Sequence, residues 1–258
     1  MSQLPVRSAD QDRIATEAEF HNRRFAEEEG RAQDRYYGAI SHGTAAYIER
    51  VSAAARGADV LEYGCAQGVR SVTVAAAART LVGIDISSVA IAQARARVAA
   101  AGFANASFTV MNAERMALPD GAFDLVFGSG IIHHLDLDRS FREIARVLRP
   151  GGRAIFMEPL GHNPLINLYR RMTPDARTPD EHPLLRGDFA IARRYFAAVD
   201  LEFCGLTTLA AVQFRRPAVQ EPLLKVCIAL DRGLAHIPGL RWAFWHCCMT
   251  LHKAPACG

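Results

Sequence analysis

DVLEYGCAQGVRSVTVAA, residues 59–76, runs from an apolar strand pattern through a glycine turn into a helix pattern. Such a turn aims backbone N–H groups and a helix N-terminus at a ligand. A carboxylate, Glu62, stands just before the first glycine, so the ligand must tolerate acid nearby.

The pattern repeats downstream. TLVGIDIS (80–87) reads as a second strand, SVAIAQARARVAAAG (88–102) as a helix closed by Gly102, and ASFTVMNA (106–113) as a third strand. FDLVFGSGIIHHL (123–135) opens as a fourth strand, DRSFREIARVLRPGG (138–152) is a helix stopped by Pro150 and the glycines, and RAIFMEPLG (153–161) is a fifth strand. Strands alternating with helices predict right-handed crossovers and a parallel sheet. Ligands of such sheets sit beyond the carboxyl ends of the strands. Those ends carry residues 62–68, Asp85, residues 112–114, residues 128–134 and Glu158, all converging on one rim.

Residues 12–56 read as helical, and 1–56 are expected to form an N-terminal helical cap on a domain spanning 57–258. Residues 161–196, rich in Pro, Arg and His, look too polar and broken for a plain crossover helix. They are expected to form an insertion over the rim, in the manner of a lid. VDLEFCGLTTLAAVQF (199–214) and LRWAFWHCCMTLHK (240–253) read as two last strands, with a helical stretch between them. The expected fold is a Rossmann-like doubly wound α/β sheet of seven mostly parallel strands, the last antiparallel.

Composition bounds the function. Half of the 258 residues are hydrophobic and 22% charged, enough for one large domain with a full core. A net charge of +3 gives no electrostatic case for nucleic acid. No apolar run approaches the ~18 residues of a membrane span, and no signal-peptide pattern opens the sequence. Six cysteines (65, 204, 227, 247, 248 and 257) form no CxxC pair, so reduced thiols and a cytoplasmic setting are expected. The absence of a CxxxCxxC triplet argues against an iron–sulfur radical enzyme.

A dinucleotide fold needs G-x-G-x-x-G after its first strand. Here Ala66 and Val69 occupy the second and third glycine positions, and Glu62 would lie near a negative pyrophosphate. S-adenosylmethionine suits the turn better, because its ammonium and sulfonium welcome acid and it carries no phosphate. LEYGCAQG resembles the E/D-x-G-x-G-x-G motif of class I S-adenosylmethionine-dependent methyltransferases, with Ala66 replacing the middle glycine. MNAERMALPDGAFDLV and EIARVLRPGGRAIFMEP also resemble that family, so the likeness covers roughly residues 55–160.

The resemblance implies that Glu62, Gly64, Cys65, Ala66 and Gly68 cradle the methionine end and release S-adenosylhomocysteine after transfer. It implies that Asp85, beside Ile86, holds the ribose hydroxyls, a task for which a carboxylate has the acceptor oxygens. Asn112, Ala113 and Glu114 correspond to the adenine-reading segment, with Asn112 in place of the usual Asp, and Gly128 completes the set. Asp85 equally suits the cap of the next helix, since Ser87 and Ser88 follow.

His133 and His134 are the candidate catalytic bases, because histidine exchanges protons near neutrality. Packing beneath the adenosine is the alternative. Tyr37, His162, Tyr169 and His182 are candidate substrate contacts, Tyr36 belongs to the same N-terminal segment, and Arg177, Asp180 and Glu181 could bind polar groups. HCCMTLH (246–252) invites a zinc reading, but adjacent strand cysteines point to opposite faces, so no metal site is expected. The chain lacks an [N/D]-P-P-[Y/F] motif after strand four, which disfavours nucleobase methylation.

The expected activity is methyl transfer to an O or N atom of a small, apolar or aromatic metabolite of secondary metabolism, by a monomer or homodimer. Binding S-adenosylmethionine without methyl transfer, as a cyclase or regulator, is the alternative, followed by a nicotinamide oxidoreductase. A lipid or quinone enzyme touching a membrane surface through residues 234–245 is a variant of the first reading.

Overall fold

A computed structural model describes residues 9–27, 37–173, 181–214 and 216–256. Seven strands form one sheet: β1 (Asp59–Tyr63), β2 (Thr80–Asp85), β3 (Ala106–Val110), β4 (Phe123–Ser129), β5 (Leu148–Pro159), β6 (Ala198–Cys204) and β7 (His246–His252). Their order is β3-β2-β1-β4-β5-β7-β6. The first five pair in parallel, and β7 is antiparallel to both β5 and β6. The chain runs outward from β1 to β3, then crosses back to lay β4 on the other side of β1. That reversal opens a crevice at the ends of β1 and β4.

Both faces of the sheet are covered, which is why its central strands are largely apolar. Leu61, Val126 and Phe156 point into one core with Phe141 and Ile144 of α5 (Leu137–Val147). Val60, Leu125, Phe127 and Ile155 point into the other, with Tyr47 and Val51 of α2 (Ser41–Ala55). Of residues 12–56, read as helical, the structure places α1 over Ala9–Ala26 and α2 over Ser41–Ala55. α1 lies beside α4 (Ser88–Ala100), where Gln93 Nε2 donates to Phe25 O at 3.1 Å.

The crossover α3 (Val69–Ala75) follows the glycine turn directly. Ser87 caps α4 by accepting from Ala90 N–H, and Asp136 caps α5 by accepting from Arg139 N–H.

The described parts of residues 161–196 carry two helices. Pro164 starts α6 (Pro164–Met172), and Asn163 caps it by accepting from Leu165 and Ile166 N–H. α7 (Phe189–Ala192) buries Phe189 and Ala192 in the first core. The last two strands are shorter than the apolar runs that suggested them. After β6 the chain turns into α8 (Thr208–Ala211) and α9 (Pro217–Leu234), and residues 240–243 form a 3₁₀ turn before β7. None of the described helices is long and apolar enough to cross a membrane.

Candidate functional site

A cavity of about 1370 Å³ opens beyond the carboxyl ends of the central strands. The glycine turn forms one side of it. Gly64 and Cys65 both donate their N–H to Ile84 O at 2.9 Å, which folds the turn back over β2. Gly64 and Gly68 have φ of +74° and +71°, and Ala66 shares the left-handed region at +46°. A Cβ on Gly64 would lie 2.8 Å from Ile131 Cγ1, so the turn and the loop after β4 meet only because that residue has no side chain.

Asp85 stands at the tip of β2, on the cavity wall. Its Oδ2 accepts from Ala66 N–H and its Oδ1 from Ser87 N–H, both at 2.9 Å. These bonds fix the carboxylate and leave acceptor capacity on both oxygens, since a carboxylate offers about four lone-pair sites. The geometry therefore permits both readings of Asp85 made from the sequence, turn-and-cap residue and acceptor for paired hydroxyls.

The other expected cofactor residues divide. Gly64, Ala66, Ile86, Asn112, Ala113 and Glu114 line the cavity. Asn112 Oδ1 accepts from Glu114 N–H at 2.9 Å, so its side chain shapes the loop as well as facing the space. Glu114 is buried and committed: its carboxylate lies 2.6 Å from Arg13 of α1 and accepts from Asp136 N–H at 2.9 Å.

Glu62, Cys65, Gly68 and Gly128 lie off the cavity wall. The pleat of β1 turns Glu62 beneath α3, where Ser71 Oγ donates to it. Burial raises its pKa to about 8, against the opposing effects of Ser71 and Arg70. Cys65 packs with Ile91, Ala94 and Phe108, and burial raises its thiol well above the usual range. Gly68 abuts Ala94, and a Cβ on Gly128 would lie 2.5 Å from Tyr63 O. These two glycines serve close packing.

Beside the turn, on the same cavity wall, lies the loop after β4. Its buried His133 places Nδ1 2.7 Å from Oε2 of Glu158, the last acid of β5. Glu158 is fully buried, and its Oε1 accepts from Ile131 and Ile132 N–H at 3.0 and 3.1 Å. In the neutral imidazole a carboxylate so anchored keeps the proton on Nδ1, and Nε2 stands 3.9 Å from Oε1 of Glu181. His134 lines the same wall, its ring centroid 4.2 Å from that of His133.

Tyr37 and Tyr169 line the cavity too, with Tyr37 tilted over Trp245 at 5.5 Å between centroids. His162 and His182 do not. His162 accepts from Arg186 N–H and meets the edge of Trp242, and the exposed His182 ring lies 3.0 Å from Asp188 Oδ2. The backbone of His182 donates to His133 O at 2.7 Å, which ties the segment after α6 to the candidate base. Tyr36, Arg177, Asp180 and Cys257 lie outside the described residues.

The sequence reading assigned no role to three sets of residues. Glu158 was visible as a strand-end acid, but its hold on His133 was not. His246, buried in β7 on the cavity wall, is pushed by burial down to about 3 and so stays neutral. Arg13, Glu17 and His21 of α1 reach the cavity from a helix whose docking no local signal encodes.

Residues 60–152 match the family model described as a methyltransferase domain. A probable S-adenosylmethionine-dependent methyltransferase of Mycolicibacterium smegmatis is 33% identical over 112 residues, 43% of this chain and 42% of that protein. The methyltransferase GfsG of Streptomyces halstedii is 36% identical over 108 residues, 41% of this chain and 38% of that protein. The chain thus matches about two fifths of the length of these curated relatives.

Among solved structures, the N-methyltransferase NodS of Bradyrhizobium japonicum, bound to S-adenosylhomocysteine, superimposes with a TM-score of 0.61 at 15% identity. That match covers 93% of this chain and 98% of NodS. The [4+2]-cyclase SpnF gives 0.58 at 19% identity, over 99% of this chain and 100% of SpnF. At these identities the structural likeness establishes the fold. Residues 60–152, which span β1–β4 and the first part of β5, thus resemble a methyltransferase domain laid on that fold.

Proposed function

We propose that this methyltransferase-domain chain binds S-adenosylmethionine across the glycine turn and Asp85, and passes its methyl group to a hydroxyl or amine of a small, largely apolar metabolite. The observation that carries the acceptor side is the His133–Glu158 pair, a buried, oriented base on the wall of the same cavity as Asp85. The sulfonium supplies the activated methyl group when the cofactor is bound. The chain's own work is alignment and exclusion of water, for which alignment alone can supply as much as about 7–11 kcal/mol.

At 1370 Å³ the cavity exceeds the range of about 300–1,000 Å³ usual for one ligand, which favours cofactor and acceptor side by side. The acceptor half is bounded by Tyr37, Ile166, Tyr169, Leu209 and Trp245, an apolar and aromatic wall. Its polar points are Asn163, Arg170 and the histidines. His133 Nε2 takes the hydroxyl proton as the oxygen attacks the methyl carbon, and Glu158 steadies the resulting imidazolium.

The division into a cap (1–56) and a catalytic domain (57–258) with an insertion at 161–196 belongs to the same proposal. The cytoplasmic setting rests on five buried, unpaired cysteines among the described residues.

The second reading, binding the cofactor without methyl transfer, draws on the full-length likeness to a cyclase. Incubating the chain with S-adenosylmethionine and a panel of phenols, alcohols and amines decides between them. Release of S-adenosylhomocysteine coupled to a methylated acceptor supports the first reading, and stoichiometric binding with no turnover on any acceptor supports the second.

A further inference from the structure

Where α1 crosses the cavity, metal-ligand residue types meet from two distant parts of the chain. Glu17 and His21 stand four residues apart on α1, so their side chains leave one face of the helix. Glu17 is buried, and its Oε2 lies 3.4 Å from His21 Nε2. His134 approaches from the 3₁₀ turn Ile132–His134, its ring meeting that of His21 edge-on at 5.8 Å between centroids. One donor atom from each of the three lies within 4.8 Å of the other two. All three residues line the cavity.

We propose that Glu17, His21 and His134 form a binding site for a divalent first-row transition ion of the zinc class, with its remaining coordination position turned toward the cavity. Tetrahedral zinc bonds of about 2.0–2.2 Å place neighbouring ligand atoms about 3.4 Å apart. The Glu17–His21 pair already has that spacing, so only the His134 side has to close. Two imidazoles, one carboxylate and no thiolate suit zinc, cobalt or nickel, whereas magnesium and calcium prefer all-oxygen shells. Three protein ligands also match the number in sites that keep a position open for water or substrate.

A second group, His133, His134 and Glu181, has equally close donor atoms. Glu17 and His21 are favoured because one helix presets both, and because the ion would then join α1 to the loop after β4. In that position it clasps the N-terminal helix over the cavity.

The test uses the whole chain without cofactor, titrated with Co²⁺ and followed by visible absorption, with Zn²⁺ competition by calorimetry. One equivalent is expected to saturate and to be displaced by Zn²⁺. His21→Ala and Glu17→Gln are each expected to weaken binding about tenfold or more, with unchanged far-ultraviolet circular dichroism. His182→Ala, whose ring pairs with Asp188 outside the cluster, is expected to bind as the parent does. Absence of saturable binding, or binding indifferent to His21→Ala, overturns the proposal. Loss in Glu181→Gln with retention in His21→Ala overturns it as well, because it places the ion in the other group. None of these readings depends on S-adenosylmethionine, so the site and the proposed methyl transfer stand or fall separately.

Discussion

Glu158 Oε2 lies 2.7 Å from His133 Nδ1, and the other oxygen of the same carboxylate accepts two backbone N–H groups of the loop that carries His133. One buried acid thus sets both where the imidazole sits and which nitrogen holds its proton.

Glu158→Gln separates those two tasks. The amide oxygen can keep the Ile131 and Ile132 bonds, while its NH₂ donates to Nδ1 and forces the proton onto Nε2. A base so reversed loses its contribution, a factor of about 10²–10⁴. The expected result is a fall of that size in kcat with KM for S-adenosylmethionine kept within twofold. Unchanged kcat would remove His133 as the proton acceptor.

Ala66 is the departure from the glycine motif, and the structure holds it at φ +46°. The left-handed region costs a non-glycine residue about 1–2 kcal/mol, partly offset by the chain entropy that a glycine would lose. Ala66→Gly is expected to raise stability by up to about 1 kcal/mol in chemical denaturation. Gly68→Ala should do the reverse, losing about 1–3 kcal/mol, because its Cβ would lie 2.9 Å from Ala94 Cβ and 3.0 Å from Ala94 Cα. Destabilisation by Ala66→Gly would contradict the strain.

Two buried groups shape the pH dependence of stability in opposite directions. Burial lowers His246 from 6.5 to about 3, so its contribution is present above pH 6.5 and lost as pH falls toward 3. Burial raises Glu62 from 4.5 to about 8, so its contribution is present below pH 4.5 and lost as pH rises toward 8. Between 4.5 and 6.5 the two slopes oppose each other. Stability is expected to decline from pH 6.5 to 8 in the parent and to flatten there in Glu62→Gln, each unit being worth about 1.4 kcal/mol at most. Denaturation curves at pH 6.5, 7.25 and 8 read this directly, and an equal slope in both proteins would exclude Glu62 as its source.

The acceptor half of the cavity can be filled without touching the cofactor side. Ala210, exposed on α8 at the cavity edge, is the place for a large side chain. Ala210→Trp is expected to raise KM for a bulky acceptor about tenfold, equivalent to about 1.4 kcal/mol, with S-adenosylhomocysteine affinity kept within twofold. If cofactor affinity falls instead, the acceptor lies elsewhere.

The legible part of the site was the part encoded locally. Residues 59–76 declare strand, turn and helix within eighteen positions, and Asp85 follows from the end of the next apolar run. Glu62 shows the limit of that reading, since the pleat that alternates Val60 with Leu61 sends it under α3 toward Ser71. Residues brought in by tertiary docking were illegible. Arg13 meets Glu114 across 101 positions of sequence, and Glu158 meets His133 across 25. His162 and His182 looked like lid contacts because their segment is polar, but capping and packing turn both rings outward.

The central claim is a sulfonium nucleoside seated between the first turn and the acid ending β2. Calorimetric titration of S-adenosylhomocysteine into the parent chain and into Asp85→Asn tests it most directly. The prediction is one-to-one binding by the parent, weakened about 10–100-fold in the variant, the loss expected when charge-assisted hydrogen bonds worth about 1.5–3 kcal/mol are removed. No binding by the parent, or equal affinity in both, would contradict it.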